Sequence, residues 1–362
     1  MRYLTIRVTL CITFLTCLVL LTIPVSAKKR SSGLFPVDID DKTGYIDHTG
    51  KIIITTQFDA GGYFSEGLAG IRMGDKHGFI DESGTIIVPP KYDRTVKFNE
   101  GLAAVQLDGK WGFIDKTGKM VIHLQFIEAD GFIEGLAPVA TYQAGNLRFG
   151  YINAAGRMVI KPQFVFAGQF SEGLAQVVLE GAYSNLEANS RAISGKRGFI
   201  DKTGKVVVDP QFDDAGDFSD GLAPVIVNGK WGFINKFGEL MIDAAFQEAR
   251  SFSEGLALIG VESKGKSNNV IVSKYGFISK SGKVVIKPQF DNAEDFSEGL
   301  AMVGKNGKYG YIDRTGKIVI ELQFDYAYDF SDGLAGVLIE DKSGYKLGYI
   351  DKTGKYICQP MK

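Results

Sequence analysis

A short string recurs nine times along this chain and constrains its fold more than any other feature. It consists of glycine, an aromatic residue, isoleucine and then aspartate, asparagine or serine, and its glycine stands at 44, 78, 112, 150, 198, 232, 276, 310 and 348. Successive glycines are 34 to 48 residues apart. Periods of roughly 20–50 residues are typical of tandem-repeat architectures, so this region is expected to fold as one repetitive body.

The rest of each period also repeats by residue type. The string is followed by a tight turn such as Asp115–Gly118 and then by three apolar residues such as Ile318–Ile320. A connector with two aromatics, such as Phe212 and Phe218, leads to a Gly-Leu-Ala-x-Val segment such as Gly221–Val225. Short apolar runs bounded by glycine, aspartate and asparagine predict strands joined by hairpins. Each period therefore predicts a three-stranded antiparallel meander.

A single meander of about 34 residues cannot cover the apolar faces of its own strands, so stacked units are expected to fold together. The repeats open with Gly33–Val37 and stop after Tyr356–Cys358, which gives nine complete three-stranded units joined by eight connectors. No unit has to borrow a strand from the far end. Propellers typically have about four to eight blades of four strands. We therefore predict an all-β, open curved or superhelical array of nine three-stranded antiparallel β-meander units, with a closed β-propeller-like ring as the alternative.

Two units carry a motif that resembles a known repeat family. Lys110–Asp115 and Lys230–Asn235 both read Lys-Trp-Gly-Phe-Ile-(Asp/Asn), and Glu-Gly-Leu-Ala stretches accompany them. They resemble the WG, or KWG, repeat family over nearly the whole chain from 33 to 360. The sequence departs from the family in the tryptophan column, whose other members are Thr43, His77, Phe149, Arg197, Tyr275, Tyr309 and Leu347. The resemblance implies an exported or surface repeat protein without established catalytic activity, and it carries over no site residues.

The N-terminus has the pattern of a secretory leader. Arg2 and Arg7 precede a mostly apolar run from 8 to 25, and Val25-Ser26-Ala27 offers small residues for cleavage. The sequence therefore predicts a signal peptide at 1–27, a repeat domain at 28–362 and export to the cell surface or the exterior. The alternative is an uncleaved N-terminal membrane anchor, because the apolar run approaches the length that spans a bilayer.

The repeats differ in length at one hairpin alone. The distance from each Gly of the string to the next Leu-Ala-x-Val valine or isoleucine is always 27 residues, whereas the following segment spans 7, 11, 17 or 21. The excesses are even, as expected when residues are added in cross-strand pairs. The longer hairpins should project from one edge and bind a partner. The candidate partner-binding residues are Tyr142, Arg148, Tyr183, Arg191, Lys264, Lys266 and Tyr345. The alternative is tolerated drift at exposed hairpin tips.

No chemistry stands out from the repeat pattern. The formal net charge of −1 offers no basic field for nucleic acid or, beyond the leader, for a membrane surface. The histidines at 48, 77 and 123 fall in different columns, so neither a metal site nor a cofactor is expected. One acidic column recurs before the Gly-Leu-Ala segment, from Glu66 to Asp332, and is interpreted as a structural acceptor of backbone N–H groups. No hydrolase or nucleotide motif occurs.

These features predict an exported scaffold that binds a protein or a cell-envelope polymer and catalyses no reaction. One alternative is a protein that binds or hydrolyses glycans. A glycosidase would need residues that break the repeat, and the long insertions at 178–197 and 260–275 carry only the acids Glu180, Glu187 and Glu262. The other alternative is a structural spacer.

Overall fold

The computed structural model describes residues 33–186, 190–264, 271–342 and 344–360. The chain divides into two units, Met1–Arg30 and Ser31–Lys362. The predicted signal peptide at 1–27 lies outside the described residues. No helix within the described ranges is long and apolar enough to cross a membrane. The described part of the second unit is built from β-strands, as the sequence predicts.

The strands form nine consecutive antiparallel sheets, here called blades, each made from one uninterrupted stretch of chain. The first five blades contain the following strands: blade 1, β1 (Leu34–Ile39), β2 (Lys42–Asp47), β3 (Ile52–Phe58); blade 2, β4 (Ala60–Gly61), β5 (Leu68–Met73), β6 (Lys76–Asp81), β7 (Ile86–Tyr92); blade 3, β8 (Arg94–Thr95), β9 (Leu102–Leu107), β10 (Lys110–Asp115), β11 (Met120–Phe126); blade 4, β12 (Glu128–Ala129), β13 (Leu136–Gln143), β14 (Asn146–Asn153), β15 (Met158–Phe164); blade 5, β16 (Phe166–Ala167), β17 (Leu174–Val178), β20 (Arg197–Asp201), β21 (Val206–Phe212), with the separate hairpin β18 (Tyr183–Leu186) and β19 (Ser190–Ile193).

The remaining four blades follow the same order. They contain these strands: blade 6, β22 (Ala223–Val227), β23 (Lys230–Ile234), β24 (Leu240–Phe246); blade 7, β25 (Glu248–Ala249), β26 (Leu256–Lys264), β27 (Ile271–Ser279), β28 (Val284–Phe290); blade 8, β29 (Asn292–Ala293), β30 (Leu300–Lys305), β31 (Lys308–Asp313), β32 (Ile318–Phe324); blade 9, β33 (Tyr326–Ala327), β34 (Leu334–Asp341), β35 (Gly344–Asp351), β36 (Tyr356–Cys358).

Seven blades contain a fourth strand that the sequence did not predict. Each of these strands is two residues long, comes from the connector and pairs with the Leu-Ala-x-Val strand. In blade 6 a single bridge between Ala215 and Val225 stands in its place. The short strands lie on the inner side, where blades converge, since Thr95, Ala129 and Ala167 of three consecutive blades line one cavity. Blade 1 has no such strand among the described residues.

The recurrent glycine allows two strands to approach closely at a β-bulge. In blade 3 the pairing shifts between Trp111↔Phe126 and Phe113↔Ile122, and Gly112 lies at the shift. A Cβ added to Gly112 would lie 2.5 Å from the carbonyl oxygen of Ile122. Side chains larger than hydrogen cannot fit there, which explains why glycine recurs at this position in every unit.

The hydrophobic core consists of nine buried clusters, and each lies between two neighbouring blades. The aromatic residue of the string packs against a connector phenylalanine from the next blade, as Phe113 does against Phe132 with ring centroids 4.9 Å apart. The same contact joins Phe79 to Phe98 at 4.8 Å. Blades therefore bury their apolar faces against one another, as the tandem-repeat interpretation requires.

Blade 9 packs against blade 1 and closes the ring. Phe35 of β1 belongs to one buried cluster with Tyr349 and Cys358, and its ring centroid lies 5.6 Å from that of Tyr349. The Tyr349 hydroxyl donates a hydrogen bond to the Pro36 carbonyl oxygen at 2.6 Å. The predicted open array is therefore wrong, and the closed nine-bladed propeller ring, the alternative, is confirmed. The angle between neighbouring blades determines closure, and no residue pattern reports that angle.

Phe35 makes the contact to the aromatic residue of the preceding blade that a connector phenylalanine makes in other blades. The Leu-Ala-x-Val segments of the other eight blades carry alanine where β1 carries Phe35. The Gly-Leu-Phe segment is preceded by Arg30 at the position where connectors of the other blades have phenylalanine. Phe35 provides the ring against which Tyr349 packs.

The acidic column links neighbouring blades, which confirms its structural interpretation. The Glu66 carboxylate accepts hydrogen bonds from the backbone N–H groups of Glu100 and Gly101 in the next blade, at 3.0 and 2.9 Å. Glu298 makes the same pair of contacts to Asp332 and Gly333. These carboxylates satisfy turn donors of the adjacent blade and are not free for chemistry.

Candidate functional site

Three cavities on the inner side of the ring form one groove. Their volumes are about 750, 470 and 420 Å³. The first shares Ala60, Gly61 and Tyr63 with the second, and the second shares His77 and Thr95 with the third. We call this continuous depression, from Leu347 of blade 9 through blades 1 to 4 to Phe166 of blade 5, the inner groove.

The largest part of the inner groove lies where blade 9 meets blades 1 and 2, and we call it the closure pocket. Its lining combines tyrosines with aspartates and contains neither lysine nor arginine: Pro36, Asp38, Asp40, Asp41, Thr43, Asp59, Ala60, Gly61, Tyr63, Tyr328, Leu338, Tyr345, Leu347 and Tyr349. Tyr63 and Tyr345 are 53% and 62% exposed. Aromatic faces beside carboxylates favour ligands that carry positive charge or many hydroxyl groups.

Contacts around the closure pocket divide its carboxylates into two kinds. Asp38 accepts a hydrogen bond from the Thr43 hydroxyl at 2.6 Å. Asp59 accepts from the Lys42 ammonium at 2.5 Å, and this hydrogen bond is the main cause of its lowered pKa. Asp40 and Asp41 form the tip of the β1–β2 hairpin, with φ of 50° and 60°, and neither pairs with a cation within the described part of the chain. Among the described residues, the pocket therefore presents two carboxylates without a cation partner.

The tyrosines Tyr63 and Tyr349 in the wall of the closure pocket have raised pKa values. Burial raises the pKa of Tyr349, and the neighbouring Tyr63 raises it further. Burial also raises the pKa of Tyr63. Both phenols stay protonated at physiological pH, so they act as neutral hydrogen-bonding groups and aromatic surfaces.

The middle of the inner groove carries the opposite charge. Arg72, Lys97 and His77 line its second cavity, and Arg94 lines the third. Burial lowers the pKa of His77, and the positive charges of Arg72 and Arg94 lower it further. His77 is therefore neutral at pH 7, and the groove changes from an acidic end to a basic middle.

The tryptophan column lies beside the inner groove. Thr43, His77, Trp111, Phe149 and Leu347 all contribute to its walls. Trp111 is largely buried in the cluster between blades 3 and 4. Variation in this column changes the chemistry of the wall from one blade to the next, while the backbone repeats.

A second group of carboxylates lies in the connectors of blades 7 to 9, and the sequence analysis missed it. Glu294 pairs with Arg250, and Asp295 follows it directly. One carboxylate oxygen of Asp295, Oδ1, is buried without a hydrogen-bond partner. Burial, together with the negative charges of Glu294 and Asp295, raises the pKa of Asp329 to about 6. The only sequence signal was the recurrence of aspartate just before the connector phenylalanine, at 217, 295 and 329.

The raised pKa of Asp329 predicts a dependence of stability on pH. Between the unfolded and folded pKa values the folded chain binds more protons, so stability falls as pH rises from about 4 to about 6. Asp329→Asn should then raise the free energy of unfolding at pH 7.5 by roughly 1 kcal/mol, a value reduced because solvent reaches the side chain. At pH 4 the substitution should change little. Thermal unfolding from pH 4 to 8 measures both.

Asp325, four residues earlier, provides a control of opposite sign. The Lys308 ammonium holds the pKa of Asp325 below its usual value, and the Glu340 backbone N–H lowers it further. Asp325→Asn should therefore destabilise the chain at pH 7.5, with an effect that disappears as pH falls below the usual aspartate range. Equal responses of the two variants would contradict this assignment.

The predicted hairpin extensions are continuous paired ladders in blades 4, 7 and 9, whereas the extension of blade 5 pairs as a separate sheet, β18–β19. In blade 4 the register continues through Thr141↔Arg148 to Gln143↔Asn146, and in blade 9 through Glu340↔Tyr345 to Asp341↔Gly344. Consecutive antiparallel strands place every hairpin between the Leu-Ala-x-Val strand and the string on the same face, which we call the hairpin face. The opposite face carries the Asp-x-x-Gly turns.

The candidate partner-binding residues that the structure describes do not meet at one place. Tyr142 is 63% exposed, while Arg148 is half-buried and donates a hydrogen bond to the Leu147 carbonyl oxygen. Tyr183 lies in β18, Arg191 in β19 and Lys264 at the end of β26, and Lys266 falls outside the described residues. These hairpins belong to blades 4, 5, 7 and 9. Tyr345 is the one candidate that lines the closure pocket among the described residues.

Within the described ranges, no group of three or more histidine, cysteine, aspartate or glutamate side chains could hold a metal ion. Cys358 is buried and its pKa is raised by burial. It packs in the cluster that joins blade 9 to blade 1. Its role is that of a small apolar side chain.

A sequence comparison with protein families gives one match. The family described as "WG containing repeat" matches residues 44–76, 78–111, 111–141, 149–183, 198–231, 231–264, 275–309 and 309–342. A sequence comparison with curated proteins finds no significant match.

Comparison with solved structures gives similarities to proteases at low identity. The tricorn protease is 11% identical, with 90% of this chain and 44% of that chain covered and a TM-score of 0.29. A prolyl endopeptidase is 11% identical, with 78% and 51% covered and a TM-score of 0.42. The β-propeller domain of the Trilobed protease from Pyrococcus furiosus, described as having an open velcro topology, is 11% identical, with 92% and 100% covered and a TM-score of 0.37. The chain spans about half the length of the first two.

Proposed function

Because this chain belongs to the WG-repeat family, we propose that it is an exported binding scaffold which holds a protein or a cell-envelope polymer in its inner groove and catalyses no reaction. The observation that carries the proposal is the closure pocket, where exposed tyrosines stand beside aspartates in a cavity of about 750 Å³. Concave sites with a few polar groups among aromatic side chains are the usual form of a binding site. Export rests on the leader pattern at 1–27.

The position of Tyr345 connects the pocket with the extended hairpins. Tyr345 belongs to the lengthened β34–β35 hairpin and also lines the closure pocket. A ligand in the pocket would therefore contact the hairpin face as well. The paired ladder holds the hairpin in one conformation, so little conformational entropy is lost when a ligand binds.

A carbohydrate ligand is the second candidate. The exposed rings of Tyr63, Tyr328 and Tyr345 offer flat apolar surfaces, and Asp40 and Asp41 offer acceptors for hydroxyl groups. Hydrolysis of the glycan would need two carboxylates in unequal environments flanking one bond. The raised pKa of Asp329 is found in another group of residues, outside the closure-pocket lining.

Three substitutions of exposed aromatic residues test where binding takes place. Tyr345→Ala removes a ring from both pocket and hairpin, Tyr142→Ala removes one from a hairpin alone, and Phe237→Ala removes one that is 81% exposed on the opposite face. We expect Tyr345→Ala to weaken retention of cell-envelope fractions or glycans about tenfold, since a buried aromatic contact is worth about 1–3 kcal/mol. The other two should bind as the parent does.

The outcomes separate the alternatives. Equal loss in the Tyr345 and Tyr142 variants would move the binding surface from the groove to the hairpin tips. Loss confined to the Phe237 variant would refute the groove. Binding by none of the proteins, with unfolding unchanged, would favour a structural spacer, and retention by glycan arrays alone would favour the carbohydrate candidate.

A further inference from the structure

The inner edge of β1 has no strand beside it among the described residues. In blade 2, Ala60 and Gly61 of the short strand β4 pair with Arg72 and Ile71 of β5. The corresponding residues of blade 1 are Asp38 and Val37, and no described strand pairs with them on that side. Every other blade has either a two-residue strand or, in blade 6, a single bridge at this place. Within the described residues, blade 1 is therefore one strand short.

The β1–β2 register shows which backbone groups face the open edge. Ile39 pairs with Lys42 across a two-residue turn, and Val37 pairs with Gly44. Residues that alternate with these direct their N–H and C=O groups away from β2, which leaves those of Asp38 at the inner edge. At the equivalent position of blade 2, the Arg72 carbonyl oxygen accepts the N–H of Asp59 at 3.0 Å. The Pro36 carbonyl oxygen on this edge accepts from the Tyr349 hydroxyl, so the backbone groups of Asp38 are the ones that can act as a template for another strand.

The sequence places the matching segment of blade 1 in the predicted leader. In blade 2 the short strand Ala60–Gly61 lies eight and seven residues before Leu68. Leu34 is the equivalent of Leu68 in blade 1, and the residues eight and seven positions before it are Ser26 and Ala27. Both lie outside the described residues. Cleavage after Ala27 would remove them, so the exported chain would have no residues of its own at this count.

The closure pocket lies directly beside the open edge and is lined by acids. Asp38, Asp40 and Asp41 belong to β1 or its turn, and all three line the pocket. Asp40 and Asp41 have no cation partner within the described part of the chain. Tyr63 and Tyr345 expose rings on the other walls. Carboxylates and tyrosine faces together select lysine and arginine side chains.

We propose that the inner edge of β1 binds an extended, cationic segment of a partner protein, which pairs with Asp38 as the missing strand of blade 1 and places lysine or arginine side chains in the closure pocket. This inference rests on the proposed scaffold function and names the chemistry of the partner. Strand addition supplies affinity through main-chain hydrogen bonds, and pockets for alternate side chains supply specificity. A polypeptide strand carries N–H and C=O groups at the spacing of a β-ladder, so the open edge favours a polypeptide.

Blocked six-residue peptides test the proposal by fluorescence anisotropy with the chain that starts at Lys28. One peptide alternates lysine with threonine, and the other alternates glutamate with threonine. We expect the lysine peptide to bind, with affinity falling as salt rises, and the glutamate peptide to bind at least about tenfold more weakly, because each charge-assisted hydrogen bond contributes about 1.5–3 kcal/mol. Equal affinity for both peptides would overturn the proposal.

Two substitutions at one position separate strand pairing from charge. Asp38→Pro removes the edge N–H, and Asp38→Asn keeps it while removing the charge. Proline is tolerated at a strand edge whose N–H does not serve the ladder, and Pro36 already occupies this edge. We expect Asp38→Pro to abolish binding of the lysine peptide and Asp38→Asn to weaken it by several fold. Equal affinity of the two variants would refute strand addition.

A further pair of variants examines the turn and the chain's own cations. The double variant Asp40→Asn/Asp41→Asn removes both negative charges and keeps residues that tolerate a positive φ. It should weaken binding of the lysine peptide about tenfold. Replacing Lys28, Lys29 and Arg30 by serine should leave peptide affinity unchanged. If peptide binds only after that replacement, the chain's own segment is the occupant and a partner is not. Retention of envelope ligands by Asp38→Pro would preserve the scaffold function even if both peptides fail.

Discussion

Phe35→Ala is expected to lower the free energy of unfolding by about 3–5 kcal/mol, the usual cost of truncating a buried phenylalanine. The substitution restores the alanine found in the other eight units, so repeat consensus alone would suggest a neutral or favourable change. The structure leads to the opposite expectation. Phe35 is 2% exposed, and its aromatic ring packs against Tyr349 where blade 9 meets blade 1.

Phe98→Ala is the matched control for this experiment. Phe98 is also fully buried and packs against Phe79, but at an internal interface between blades 2 and 3. Hydrogen exchange should show loss of protection in blades 1 and 9 for the Phe35 variant, and in blades 2 and 3 for the Phe98 variant. A Phe35 variant as stable as the parent would contradict ring closure through this contact.

Gly112→Ala should also be strongly destabilising, with a loss of about 3 kcal/mol, at the upper end of the usual cost of overpacking. The added Cβ would lie 2.5 Å from the Ile122 carbonyl oxygen and 2.9 Å from the Leu124 nitrogen. Both are backbone atoms of the neighbouring strand, so relief requires the β10–β11 ladder to separate. Chemical denaturation followed by circular dichroism measures the change.

Gly109→Ala, in the adjacent hairpin of the same blade, controls for loss of glycine as such. Gly109 has a φ of 72° and no atom within 4 Å of an added Cβ. Only the strain of a left-handed backbone applies, at about 1–2 kcal/mol. A Gly112 variant no less stable than the Gly109 variant would show that the bulge can open, against the close approach described above.

The strands were predictable because their signals are local. The string around Gly112 and the Asp115–Gly118 turn indicate, within a few residues, where the strands end and which turn joins them. The fourth strand was not, because it has only two residues and its sequence ranges from Ala60–Gly61 to Phe166–Ala167. Strands this short are defined by the neighbour with which they pair and carry no periodicity of their own.

Ring closure and the groove depend on distant residues, so the sequence indicated them only indirectly. The sequence shows Phe35 at a position where the other units have alanine, but only the contact with Tyr349 in the structure explains this difference. Hairpin length identified Tyr345, whereas Tyr63 and Tyr328 lie in connectors of constant length and vary only in side-chain type. A search for length differences cannot find residues of that kind.

Each blade is formed by one unbroken segment, so the first and last blades meet through side chains and a hydrogen bond, with no strand exchanged between them. A tandem duplication of one 34-residue unit would therefore add a whole blade without splitting any existing one. Closure of the larger ring would require a smaller angle between neighbouring blades, and Phe35 would again have to meet Tyr349 at that angle. Blade number in such a protein can therefore change through copy number in the gene, because each added unit brings one complete blade.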